Sequence, residues 1–283
     1  MSGAAVTFSA MNTIIRVYAH EVPPFQLVFF RNFFSLLIML PWIVHYGIGS
    51  LKTSRLKLYS MRSTLSLLSM LCWFTAIAMI PLAEAIALSF TGPLFATAGA
   101  ALVLRETVGW RRWAAVCVGF LGVLIVVRPG QVDLSLGATL ALLSALCMAA
   151  GSLMVKSLAR TEPAPAIVAY MVIYLVPMSL IPALFVWQWP PLGAWPWLVV
   201  LGVFGALAHL CFTRSLAVAD ASAVMPLDYL RLPFGAAMAY AVLAEVPTLY
   251  TWAGAGVIVA SSMYIAQREI KLRRQKPAAV ATP

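Results

Sequence analysis

The chain has 283 residues, of which 63% are hydrophobic and 10% charged, and its mean hydropathy is +0.94. A soluble body is usually about a quarter charged, so this composition excludes a water-soluble enzyme or binding domain and calls for lipid over most of the surface. The net charge of +10 does not indicate nucleic acid, because the basic residues lie in short gaps between apolar runs and at the C-terminus, where they orient a membrane protein.

A spanning helix needs roughly 20 apolar residues. The sequence predicts ten, near 3–19, 25–45, 58–80, 82–104, 109–128, 134–157, 165–188, 193–217, 221–243 and 249–267. Helix 1 carries Asn12, which either contacts a cargo or bonds a neighbouring helix. No cleavable signal peptide is expected, since this first apolar run has no basic segment before it. Helix 2 opens with Arg31, which either attracts anionic groups or snorkels to the interface; snorkelling is the simpler reading.

Helix 3 contains Trp73 and Phe74, aromatic groups suited to an apolar cargo or to plain packing. Helix 4 contains Ser89 and Thr91, each of which either donates to a substrate or bonds a neighbouring helix or its own backbone, and the pair Gly92-Pro93, which can loosen the helix for gating. Helix 8 brings His209, Phe212 and Arg214; the histidine is a core hydrogen-bonding residue or a functional one. In helix 9, Asp228 and Arg231 are three apart and face one side, beside Tyr229 and between Pro226 and Pro233. They form either a structural ion pair or part of a site, and the prolines can bend the helix and expose carbonyls. His209, Arg214 or Arg231 can meet a substrate carboxylate.

Gly119 and Gly122 in helix 5, and Gly254 and Gly256 in helix 10, suggest close helix packing. Trp110, Trp113, Trp195, Trp197 and Trp252 fall at span ends and read as interfacial anchors. Cys72, Cys117, Cys147 and Cys211 lie in apolar runs and read as packing residues, not metal ligands. The tail 268–283 is basic and then Pro/Ala-rich.

A long-range repeat organises these spans. The turn and helix start at Glu106 and Trp113 return as Glu245 and Trp252, and both differences, 245 − 106 and 252 − 113, are 139. Glu21, Pro24 and Pro41 recur as Glu162, Pro165 and Pro182 at an offset of 141. Five helices per half is an odd number, so the halves enter the membrane in opposite senses, the geometry of alternating access. Glu106 and Glu245 read as carboxylates at the start of the following helix, near its free N–H groups. Lys52, Arg55, Lys57, Arg62, Arg105, Arg111, Arg112, Lys156 and Arg160 fall on one side if both termini are cytoplasmic, with only Arg16 and Arg128 against the trend.

The segments ALSFTGPLFATAGAALVLRETVGWRRWAAVCVGFLGVLIVVRPG and ASAVMPLDYLRLPFGAAMAYAVLAEVPTLYTWAGAGVIVAS resemble the two repeats of the drug/metabolite transporter superfamily, in its ten-helix EamA-type branch. The chain is also similar in overall look to the aromatic amino-acid exporters of that branch. The resemblance implies an all-α integral membrane protein of two inverted five-helix repeats, 1–130 and 131–267, with the tail cytoplasmic. It further implies export of amino acids, aromatic or hydrophobic ones preferred, across a bacterial inner membrane. The central cavity would be lined mainly by helices 1, 3, 4, 6, 8 and 9. Where the family has a glycine before the turn glutamate, this chain has Arg105-Glu106 and Ala244-Glu245, which predicts a slightly different cap.

Uptake of another small metabolite by the same fold is an alternative, as is efflux of lipophilic cations; an intramembrane enzyme and a channel are the other classes. Efflux of lipophilic cations favours an accessible intramembrane carboxylate, and Asp228 has Arg231 beside it. An intramembrane enzyme needs converging carboxylates, a metal cluster or a nucleophile, and the sequence shows no such spacing. A channel fits the kinked inverted repeat less well than a carrier does. No phosphate-binding loop is present, so ATP drive is excluded and no cofactor or metal is expected. The expected partners are a small-molecule substrate and membrane lipid, with a monomer expected and a dimer as the alternative.

Overall fold

The computed structural model describes residues 2–46, 53, 55–102, 110–128, 135–158, 164–218 and 230–275. Every regular element among them is helical: α1 (Ser2–Tyr18), α2 (Pro24–Tyr46), α3 (Leu56–Met79), α4 (Leu82–Ser89), α5 (Gly92–Leu102), α6 (Trp110–Val127), α7 (Leu136–Leu158), α8 (Ala164–Phe185), α9 (Trp195–Val218), α10 (Arg231–Leu243) and α11 (Leu249–Gln275). A short 3-10 turn at Leu192–Ala194 precedes α9. Four apolar windows among the described residues, Pro24–Pro41, Leu56–Met79, Leu82–Gly99 and Leu249–Arg268, are long enough to cross a membrane by length and composition. Since α4 and α5 are two halves of one crossing, the molecule is the ten-helix membrane fold the sequence implied.

The break in that crossing has a local cause. Pro93 has no N–H to give to the carbonyl of Ser89, and its ring clashes with the preceding turn. The chain resolves this by tightening: Phe90 and Thr91 bond back to Ala87 and Leu88 at 3.3 and 3.1 Å. The Ser89 and Thr91 hydroxyls donate to the carbonyls of Ile86 and Leu88, both at 2.7 Å. The carbonyl of Phe90 accepts from Ser262 of α11 at 3.0 Å. Irregular backbone inside a membrane protein survives only when its polar groups find such partners. Pro233 falls in the first turn of α10, where its missing N–H breaks no bond within that helix.

The packing obeys the repeat. Exchanging α1 with α7, α2 with α8, α3 with α9, α4–α5 with α10, and α6 with α11 turns one set of contacts into the other. The α3–α7 contact becomes α9–α1, α2–α9 becomes α8–α3, and α1–α10 becomes α7 against α4 and α5; all are present. The contacts α6–α11, α2–α8 and α4–α10 map onto themselves, so they lie on the two-fold axis. The α6–α11 contact is a glycine crossing: a Cβ on Gly254 would lie 2.7 Å from the Gly122 carbonyl oxygen and 2.4 Å from Val126. Gly119 packs as closely on Leu94, but Gly256 faces open space and takes no part.

Both arginines that ran against the charge trend have specific partners. The Arg128 guanidinium lies 4.9 Å from the centroid of the Tyr250 ring. Arg16 is held by Glu245, described below. Among the tryptophans, Trp110, Trp197 and Trp252 are exposed, as belt residues should be. Trp195 differs: it is half-buried and meets Phe30 edge-on at 5.5 Å. With Phe29 and Trp187 it forms an aromatic wedge where α2 enters between α8 and α9.

Candidate substrate site

The broken helix positions a small polar and aromatic centre. From α1, Phe8 and Asn12 lie one turn apart on one face. From α3, the Trp73 indole donates its Nε1–H to Asn12 Oδ1 at 3.2 Å. Indole nitrogen is only a donor, so Asn12 must present its carbonyl to it, which turns the amide NH2 the other way. Asn12 is 3% exposed and Trp73 half-buried. From the break comes Phe90, and from the start of α10 comes Arg231. The Arg231 guanidinium lies over the Phe8 ring at 5.3 Å and the Phe90 ring at 5.9 Å. Ser9 of α1 donates to the Arg231 carbonyl at 3.2 Å, which ties α1 to α10 across the two halves.

Beside this centre, Gly92, the first residue of α5, is buried, and among the described residues a Cβ built on it would meet no atom within 4 Å. Buried positions in a close-packed interior normally touch several neighbours. The chemistry on offer is flat aromatic faces, an amide and a guanidinium.

Of the other sequence-predicted residues, Phe74 is 1% exposed and belongs to the main apolar core. Ser89 spends its hydroxyl within its own helix. Pro93 stands at the second position of α5, directly after the break. The side chains of His209, Phe212 and Arg214, and residues Pro226, Asp228 and Tyr229 altogether, lie outside the described residues, as does Glu106.

Two features escaped the sequence reading. The first is a clamp at the end of the bundle where α1, α3 and α10 terminate and α4 begins. Arg16 meets Glu245 Oε1 through Nε at 2.9 Å and Nη2 at 2.8 Å. Its Nη1 donates to the last carbonyls of α3, Ile77 at 2.9 Å and Ala78 at 2.6 Å. Glu245 Oε2 accepts the Leu82 N–H at the start of α4, at 3.0 Å. Glu245 thus caps α4, not the helix that follows it in sequence, α11, as its position in the turn suggested. The second is Arg31. It is the eighth residue of α2, 5% exposed, and donates to Asn32 Oδ1 at 2.8 Å, so it does not snorkel. The sequence signal that was available is Gln26, Arg31, Asn32 and Ser35 recurring in an apolar helix.

These features define a class: a multi-pass α-helical carrier with an inverted repeat, one broken crossing and a polar-aromatic centre between the halves. The model of the EamA-like transporter family matches residues 1–128 and again 135–267, and the chain belongs to that family. It is 34% identical to a riboflavin transporter of Vibrio cholerae, over 98% of this chain and 94% of that protein. It is 30% identical to an S-adenosylmethionine uptake transporter of Rickettsia bellii, over 96% and 93%. It is 29% identical to a pseudopaline exporter of Pseudomonas aeruginosa, over 93% of each. A solved crystal structure superposes on 97% of the chain with a TM-score of 0.63 at 17% identity, which shows the shared fold. The protein is a transporter and not an enzyme.

Proposed function

We propose that this chain carries a small metabolite with a planar aromatic or heteroaromatic portion by alternating access around the α1–α3–α10 centre. The observation that carries the reading is the Trp73–Asn12 hydrogen bond set beside Phe8 and Phe90 and next to Gly92. Aromatic walls bind a flat cargo by area and stacking, and one amide fixes its orientation. Export of aromatic or hydrophobic amino acids is the specific form of this proposal. Carriage of a flavin is a second reading, favoured by the similarity to riboflavin transporters.

The remaining elements of the proposal concern placement. We place the protein in a bacterial inner membrane as a monomer, with its halves meeting near residue 130, between the two matches of the family model, and with both termini cytoplasmic on the strength of the basic clusters flanking α3, α6 and the C-terminus. The test is counterflow in proteoliposomes with labelled phenylalanine, tryptophan, riboflavin and S-adenosylmethionine, with and without a pH gradient. At least one compound should exchange, and W73A should raise its KM more than it lowers its maximal rate. Exchange of none of the four, or a W73A variant indistinguishable from the parent, would sink the reading.

A further inference from the structure

Arg31 carries a full charge into the body of a membrane protein, with only neutral neighbours among the described residues. It lies about 10 Å along α2 from the helix start, at 1.5 Å per residue. Its Nη1 meets the Asn32 carbonyl at 2.8 Å and the Met70 sulfur at 3.9 Å. Its Nε is buried and makes no hydrogen bond. Asn32 leans at 3.4 Å on Ser179, and Ser35 gives its proton to the Gly202 carbonyl at 2.9 Å. Gly205 makes the room: a Cβ there would stand 2.7 Å from Arg31 Nε. Among the described residues the one ion pair is Arg16–Glu245, at the end of the bundle.

An uncompensated buried charge is costly, and inside a membrane it marks a path or a binding site. The position says which. Met70, touched by the guanidinium, stands one helical turn before Trp73 on the same face of α3. Arg31 therefore abuts the stretch of α3 that also carries Trp73 of the aromatic centre.

We propose that Arg31 is the anion-binding residue of the transport site and supplies the counter-charge for a carboxylate on the cargo. This rests on the reading that the Trp73–Asn12 centre binds that cargo. Guanidinium is the side chain suited to it, because its planar fork matches an oxyanion and it stays charged when buried. The missing partner of Arg31 is then part of the substrate, and the free protein holds the charge in waiting.

The experiment uses the full-length protein in detergent and reads ligand-induced thermal stabilisation over a concentration series. The probes are two pairs: tryptophan against tryptophanamide, and flavin mononucleotide against riboflavin. The first pair tests a carboxylate and the second a phosphate. The parent should bind the anionic member of a pair about ten- to a hundred-fold more tightly, the worth of a charge-assisted hydrogen bond. R31Q should abolish that preference and R31K should keep part of it. A preference in the flavin pair alone would overturn the carboxylate assignment. Equal binding of both members by the parent, or a preference that survives in R31Q, would overturn the proposal while leaving the aromatic site intact. Binding of no probe at all would overturn both. Without ligand, R31Q should unfold at or above the parent's temperature; a drop of many degrees would make Arg31 a structural residue and end the proposal.

Discussion

The Arg16–Glu245 clamp allows a quantitative test. Residues 229 apart in sequence meet there, and four helix termini depend on them. At 2.8 Å and an effective dielectric of 20, the gross Coulomb attraction is about 6 kcal/mol. Most of it is offset by desolvation. Exposed pairs net about 0.2–1 kcal/mol and breaking a buried one costs about 3–5 kcal/mol. The two side chains are 16% and 20% exposed, so the pair belongs between those limits, and we expect a coupling of about 2 kcal/mol. E245A also strands the Leu82 N–H, adding about 1 kcal/mol. R16Q should cost at least as much, because the α3 carbonyls of Ile77 and Ala78 lose their donor too. For a chain of this size about 2–4 °C accompanies each kcal/mol, so E245A should lower the unfolding midpoint by about 6–12 °C. The assay is a double-mutant cycle of R16Q and E245Q, read by denaturation in mixed micelles. A coupling under about 0.5 kcal/mol would show that the ends are held by apolar packing, and the clamp argument would be refuted.

Three further outcomes follow from single contacts. Ala244 closes α10 with φ 55 and ψ 22, a left-handed conformation that suits glycine, so A244G should stabilise the protein by about 0.5–1 kcal/mol in the same micelle assay. G254V should destabilise by about 1–3 kcal/mol through overpacking against Gly122 and Val126, while G256A, which meets open space, should be silent. G92A should leave the unfolding midpoint within a degree or two of the parent, since its methyl meets no described atom, yet slow counterflow several-fold by narrowing the site; equal flux would place the cargo elsewhere.

Much of the architecture was legible because it is written in local composition. Apolar length marks the spans, and the offset of 139 residues marks the repeat, since both are properties of the chain alone. The break between α4 and α5 was only half legible: Gly92-Pro93 announced a weak point, but hydropathy over 82–104 contains nothing that stops a helix. Arg31 was misjudged for a different reason. Its burial comes from Gly205 of α9 and Met70 of α3, both distant in sequence, and no window around residue 31 contains that information. Trp195 reads as a belt residue in the sequence because span ends usually face the interface, whereas here Phe30 of α2 covers it. The Arg16–Glu245 pair was hidden by the same non-locality, and each residue alone looked like an exception or a cap.

The departures from symmetry bear on mechanism. Two identical halves packed by a perfect two-fold would present the same opening, or the same closure, at both ends, and such a molecule could not be open to one side only. A carrier at rest must therefore break its own symmetry. In this structure α2 packs along α3, but the equivalent helices α8 and α9 barely touch among the described residues. Where the chain passes from α8 to α9, Phe29 and Phe30 of α2 pack on Trp187 and Trp195. Aromatic contacts of this kind contribute about 0.5–1.5 kcal/mol each beyond their buried area, which is the scale on which two conformations of a carrier compete. By contrast, the α6–α11 crossing is locked by backbone contact at Gly122 and Gly254 and lies on the axis, so it keeps its geometry in either state. Under the proposed alternating access, the helices that meet at the Asn12–Trp73 centre and at the aromatic wedge would move against the glycine crossing as their support.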